Sequence, residues 1–227
     1  MFLALSLTRV LQTQQMISDF SSSRRRPGPT TVRAGLLALA ISLALHTVGS
    51  ASAEDAIAEK AAVCATCHGE GGVPIDKLTP NIWGQREGYL YLQLRDFKSG
   101  ARKHEQMQAI VADLEKPDFQ ALAAYFAAKT WPDLQQPAAP KEVAEKAIAA
   151  NVSVACTGCH LADWQGDGTI ARLAGQSREY LDKTTKEFRD RSRGNNPGMS
   201  DLMRATPVDD LEALSLYLSG LQIRVER

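Results

Sequence analysis

The chain has 227 residues, 44% hydrophobic and 6% aromatic, with 26 basic against 26 acidic residues and no formal net charge. Residues 1–53 hold five arginines and one aspartate, so the remainder carries a net charge of −4. That balance gives no electrostatic basis for nucleic acid or an anionic membrane surface as partner.

In chain order, the first feature is a basic stretch, "SSSRRRPGPTTVR", followed by the 12-residue apolar run Ala34–Leu45 and the small-residue site Ala51-Ser52-Ala53. This is the layout of a secretory leader, and the run is too short to cross a bilayer comfortably. Residues 1–53 are therefore expected to be a signal peptide cleaved after Ala53, with retention as an N-terminal anchor as the alternative. Residues before Met16 fit no leader region, which places a second candidate start at Met16. The expected destination is the periplasm.

The rest of the chain repeats itself. "VCATCHGE" (Val63–Glu70) returns as "ACTGCHLA" (Ala155–Ala162), with Cys64 and Cys156 separated by 92 positions. "GQREGYLYLQLRDFKSGAR" (Gly84–Arg102) returns as "GQSREYLDKTTKEFRDRSR" (Gly175–Arg193) at an offset of 91, and "DFQALAAYFA" returns as "DLEALSLYLS" at 92. The expected organisation is a first module over 54–130, a Pro-rich linker over 131–142 and a second module over 143–227, a tandem duplication. Modules this small with so few aromatics have marginal cores of their own, so something else is expected to fill them.

Within a module the pattern is helical. The Ala-rich segment ending in the cysteine motif has helical apolar spacing. The next segment puts Tyr89, Leu92 and Asp96 on one side, Leu90, Leu94 and Phe97 on another, and stops at Gly100. In the closing segment, Pro117 and Asp118 are start signals and Phe119, Leu122, Ala123 and Phe126 share a face. No alternating strand pattern is present, so the expected fold class is all-α.

Cys64-x-x-Cys67-His68 and Cys156-x-x-Cys159-His160 carry the chemistry. C-x-x-C-H in an exported chain is the c-type haem attachment signature. Two cysteines three apart on a helix reach one porphyrin, and the adjacent histidine faces the iron. A zinc ribbon would need its pairs about 15–20 residues apart, a thioredoxin-like motif a βαβ setting, and disulfides leave both histidines unexplained. Two covalently attached haem c groups are expected. His/Met ligation is one standard way to complete such an iron. Met107 lies 39 residues after His68, and Met199 lies 39 after His160. Met107 and Met199 are thus the expected sixth ligands, with His104 as a rival in the first module and Met203 assigned to the core. Arg189, Arg191 and Arg193, just before Met199, are expected to form a solvated loop, with a basic docking patch as the alternative.

With two C-x-x-C-H modules, "GQ…YL…F…GxR" or a variant, a distal Met and a "LAAYFA"-like closing helix, the chain resembles the dihaem class I cytochromes c, especially the cytochrome c4 family. That resemblance implies two tandem haem domains about an approximate two-fold axis. It also implies one-electron transfer, with no catalytic residue, between a membrane quinol-oxidising complex and a terminal cytochrome oxidase, at most with peripheral membrane contact. The dihaem subunit of sulfide-oxidising flavocytochrome c has a similar layout, so service to an exported dehydrogenase is the second reading. One departure stands out. Pro74 and Pro80 follow the first haem motif, but the stretch "LADWQGDGTIARLAGQ" after the second has no proline, leaving the bond that orients His160 unassigned.

Overall fold

The computed structural model describes residues 55–221, and the leader assigned to residues 1–53 lies outside them. Among the described residues all regular structure is helical, and no helix is long and apolar enough to cross a membrane. In the first module α1 covers residues 55–68, followed by α2 (Glu87–Ser99), α3 (Glu105–Val111) and α4 (Lys116–Ala127). In the second, α5 (Lys141–Val154) and the short α6 (Thr157–His160) together take the place of α1, and α7 (Arg178–Asp190), α8 (Pro197–Ala205) and α9 (Val208–Ser219) complete the copy.

The helices begin and end where local chemistry requires. Helix α4 starts on a reciprocal capping box between Glu115 and Asp118, with a proline in its first turn, satisfying amides that have no partner inside the helix. All four residues expected on its inner face, Phe119, Leu122, Ala123 and Phe126, are buried. Leu122, Ala123 and Phe126 pack with Ala61 of α1 and Leu90 of α2, with Ile57 and Cys64 against the same cluster, while Phe119 packs with Phe97 and Val111. In the second module Ala147 and Ala150 of α5 meet Leu181 of α7 and Leu214 and Leu218 of α9. Small alanines on α1 and α5 let the helices approach closely, which suits modules poor in aromatic bulk.

The segment between the modules is not a free tether. Trp131 is buried. The Gln136 amide donates to the backbone oxygens of Gln176 and Ser219 at 2.9 and 3.2 Å and accepts from the Arg178 amide at 2.8 Å. Helix α5 starts directly after Pro140, so Lys141 and Glu142 are helical; proline at the N-cap sets the extended backbone that precedes a first turn. Gly84 has φ +65, and a Cβ there would meet the Trp131 nitrogen and Lys129 oxygen at 2.8 and 2.9 Å. Its counterpart Gly175 also has positive φ, and the two amides donate to equivalent carbonyls, Phe126 and Leu218, at the ends of α4 and α9.

The two copies face each other across a seam of matched polar contacts. Gln85 Nε2 donates to the Arg172 carbonyl at 3.0 Å while its Oε1 accepts from the Arg172 amide at 2.7 Å. Gln176 does the same to the backbone of Asn81, at 2.9 and 2.8 Å. Residues 85 and 176, and 81 and 172, are equivalent in the repeat, so the contact is reciprocal, as an approximate two-fold axis requires. A second matched set lies alongside: Arg102 donates to the Tyr180 hydroxyl at 3.1 Å and Arg193 to the Tyr89 hydroxyl at 3.2 Å, and each guanidinium lies over its own module's Phe97 or Phe188. The two sides read on α2 are thereby explained. Leu90 and Phe97 enter the module's own core, while Tyr89 and Asp96 turn to the seam.

Helix α2 stops at Gly100, whose φ is +77. The equivalent residue after α7 is Arg191, which adopts φ +66, a left-handed conformation costing an L-residue about 1–2 kcal/mol. Replacing Gly100 with Ala should therefore lower the unfolding free energy by about 1 kcal/mol. Arg191→Gly should change it by less than about 0.5 kcal/mol, because strain relief is offset by a looser unfolded chain and loss of the exposed Asp201 pair. Denaturant unfolding of both variants checks this; a neutral Gly100→Ala would contradict it.

Candidate functional site

His68, at the last turn of α1, and His160, at the end of α6, are both buried. A buried imidazole keeps one N–H that must find an acceptor. His68 Nδ1 meets the Pro80 carbonyl at 2.7 Å, and His160 Nδ1 meets the Ala171 carbonyl at 2.9 Å. A carbonyl only accepts, so each ring is protonated on Nδ1 and leaves a lone pair on Nε2. Burial pushes both histidines below their ordinary pKa, against the smaller opposite pull of the carbonyl, which holds the imidazoles neutral, the form in which they ligate metal. The proline missing from the second module is replaced by Ala171. What the site needs is a carbonyl at that point of the loop, and any residue supplies one.

The cysteines are free thiols in the structure, not disulfides. Cys64 and Cys156 are half-buried against the module cores, while Cys67 and Cys159 are exposed. Burial pushes the Cys64 and Cys156 thiols up, unlike the lowered pKa of a thiolate nucleophile. Among the described residues no three His, Cys, Asp or Glu side chains converge on one point.

Met107 packs against Phe97, Val111 and Phe119, and Met199 against Phe188, Met203 and Leu211. Met203 itself is buried. Cys64, Cys67, His68 and Met107 together with Cys156, Cys159, His160 and Met199 line one cavity of ≈1290 Å³. This exceeds the ~300–1,000 Å³ of a single small-molecule site. Its lining matches the needs of two haem groups: thiols for thioether bonds, neutral imidazoles for one axial position and soft thioether sulfurs for the other, set in apolar walls. It also accounts for the missing core bulk.

His104, the rival ligand, caps α3. Its Nδ1 accepts from the Met107 amide at 3.3 Å, as Asn196 Oδ1 accepts from the Met199 amide at 3.1 Å at the start of α8. In both modules the residue three before the methionine fixes the turn that carries it. The arginines before Met199 do not form an exposed patch. Arg189 donates to the carbonyls of Met203, Arg204 and Thr206 at the end of α8, Arg193 is 5% exposed, and only Arg191 lies outside, paired with Asp201 at 3.0 Å.

Of the seam residues, Gln85, Gln176, Tyr180 and Arg102 carry no role from sequence reasoning alone, Tyr89 only a helix side, and Arg193 the surface role that its burial overturns. Their signal was available: polar residues that recur at equivalent positions in both repeats without serving the haem motif.

An all-helical tandem repeat with a buried C-x-x-C-H histidine in each copy is the architecture of a dihaem class I c-type cytochrome. No protein-family model matches the chain. It is 32% identical over 204 residues to cytochrome c4 of Azotobacter vinelandii, spanning 82% of this chain and 96% of that protein, and 33% identical over 196 residues to cytochrome c4 of Pseudomonas aeruginosa, with the same coverage. It is also 32% identical over 174 residues to the thiosulfate dehydrogenase electron acceptor of Stutzerimonas stutzeri, spanning 71% of this chain and 80% of that one. Among solved structures, cytochrome c4 of Acidithiobacillus ferrooxidans superposes with a TM-score of 0.63 at 29% identity, covering 70% of this chain and 98% of that one. Thiosulfate dehydrogenase of Marichromatium purpuratum superposes with a TM-score of 0.59 at 25% identity, covering 72% of this chain and 38% of that one. The chain belongs to the cytochrome c4 family, electron-transfer proteins that carry two covalently bound haem c groups.

The capping role of His104 gives a direct expectation. His104→Ala should lower the unfolding free energy of the holoprotein by about 1 kcal/mol, and His104→Asn should recover most of that. Denaturant titration checks it; an Asn variant less stable than the Ala variant would contradict the cap.

Proposed function

We propose that the first module, 54–130, holds one haem c through Cys64 and Cys67, with His68 and Met107 as axial ligands. The second module, 143–227, holds the other through Cys156 and Cys159, with His160 and Met199. The observation that carries this reading is the convergence of both His/Met pairs on one apolar cavity, each histidine held in its Nε2-ligating tautomer. The haem iron supplies a one-electron ferric/ferrous couple. The chain contributes the rest: the imidazoles stay neutral, the thioether sulfurs favour the ferrous state, and the apolar walls keep water away. With both axial positions taken from the chain, no open site remains for a substrate, which supports a carrier rather than an enzyme.

In this reading residues 1–53 direct export and the protein works in the periplasm, accepting single electrons from a membrane quinol-oxidising complex and passing them to a terminal cytochrome oxidase. The similarity to thiosulfate dehydrogenase electron acceptors favours one second reading, an acceptor of electrons from an exported dehydrogenase. Stopped-flow reduction separates them. Faster reduction by quinol-supplied membranes supports the respiratory carrier, and faster reduction by a thiosulfate dehydrogenase with thiosulfate supports the second.

Potentiometric titration tests the ligand assignment. The holoprotein should show two one-electron waves at positive potential. Met107→His should move one wave strongly negative and Met199→His the other, because imidazole favours ferric iron more than thioether does. A variant that leaves both waves in place would contradict the assignment of that methionine.

A further inference from the structure

Each carbonyl that receives an imidazole belongs to a peptide gripped by the other module. The Pro80 carbonyl and the Asn81 amide are two ends of one peptide group. The carbonyl accepts from His68 Nδ1 at 2.7 Å, and the amide donates to Gln176 Oε1 at 2.8 Å. The Ala171 carbonyl and the Arg172 amide likewise form one peptide, accepting from His160 Nδ1 at 2.9 Å and donating to Gln85 Oε1 at 2.7 Å. Each Oε1 accepts a second amide at 2.9 Å, Gln176 Oε1 from Ser177 and Gln85 Oε1 from Arg86, which fixes its orientation. Asn81, Gln85 and Gln176 are all buried, so water does not compete for these bonds.

From this geometry we infer that Gln176 is a positioning residue for the first-module redox centre and Gln85 for the second, each acting across the seam through a single peptide group. This rests on the reading of His68 and His160 as iron ligands. The physical basis is bond cooperativity. An amide that donates to Oε1 polarises its peptide, and the carbonyl oxygen becomes a stronger acceptor, by about 10–30% per bond. The imidazole Nδ1–H is then drawn further toward the carbonyl, the ring becomes a more basic ligand, and ferric iron is favoured. Removing the glutamine amide should reverse this and raise the potential of the iron in the opposite module. The effect is crossed: a residue of one module tunes the haem of the other.

The experiment uses the holoprotein, with the two waves assigned to modules by Met107→His and Met199→His. Gln176→Leu should shift only the first-module wave to higher potential, and Gln85→Leu only the second-module wave. In the reduced protein, the His68 Nδ1–H proton resonance should move upfield in Gln176→Leu and stay in place in Gln85→Leu. Gln176→Glu, which keeps an Oε acceptor, should return the first-module wave to or below its original position. If one leucine variant does not fold, the other tests the same rule independently. Equal shifts of both waves, a shift confined to the variant's own module or no shift would overturn the inference. If instead the Met variants leave both waves unmoved, it is the ligand assignment that fails, whatever the glutamine variants do.

Discussion

A buried neutral imidazole has to give the proton on one nitrogen to an acceptor, which leaves its other nitrogen with a free lone pair, and in this molecule that acceptor is a backbone carbonyl. Much of the architecture follows from the requirement. The loop after each C-x-x-C-H motif must return a carbonyl to the imidazole, which it does at Pro80 in one copy and Ala171 in the other. That loop then continues into the seam, where the next residue's backbone is clasped by the opposite glutamine. The orientation of His68 and His160 and the docking of the modules therefore share the same two peptides.

The duplication makes this economical. One set of local rules, a cap before the methionine, a glycine where the chain turns onto the closing helix and a glutamine facing the other copy, is used twice and closes on itself. The copies have also diverged. A continuous α1 becomes α5 and α6 broken at Ala155, which takes a left-handed conformation, and the Asn151 side chain binds the Thr157 amide and hydroxyl across the break. The Arg193 guanidinium donates hydrogen bonds to neutral oxygens, those of Tyr89, Gln93, Tyr180, Thr184 and Asn195, whereas the guanidinium of its counterpart Arg102 donates to Gln93 and Tyr180. The second module thus brings the more deeply buried cation to the seam, an electrostatic difference between otherwise matched halves.

What was legible in the sequence was whatever depends on local spacing. The helical periodicities, the stop at Gly100, the start near Pro117 and Asp118 and the repeat all register in short windows, as does the distance from each histidine to its methionine. The buried face of α4 followed from its apolar spacing alone. Contacts between residues about 90 positions apart were not legible, because no local pattern marks the partner of Gln85 or Tyr89. The absent second proline has no bearing on the His160 contact for a related reason: the site uses a main-chain atom, the Ala171 carbonyl, which leaves no trace in side-chain identity. The arginines before Met199 show the same limit, since a run of like charges reads as surface until the carbonyls and phenols that hold them are seen.

Iron K-edge X-ray absorption of the purified holoprotein tests the proposed pair of equivalent His/Met irons most directly. One sulfur scatterer per iron, with the remaining ligands nitrogen, is the predicted result. Half a sulfur per iron would mean that one module binds its metal without its methionine, and none at all would contradict the arrangement in both.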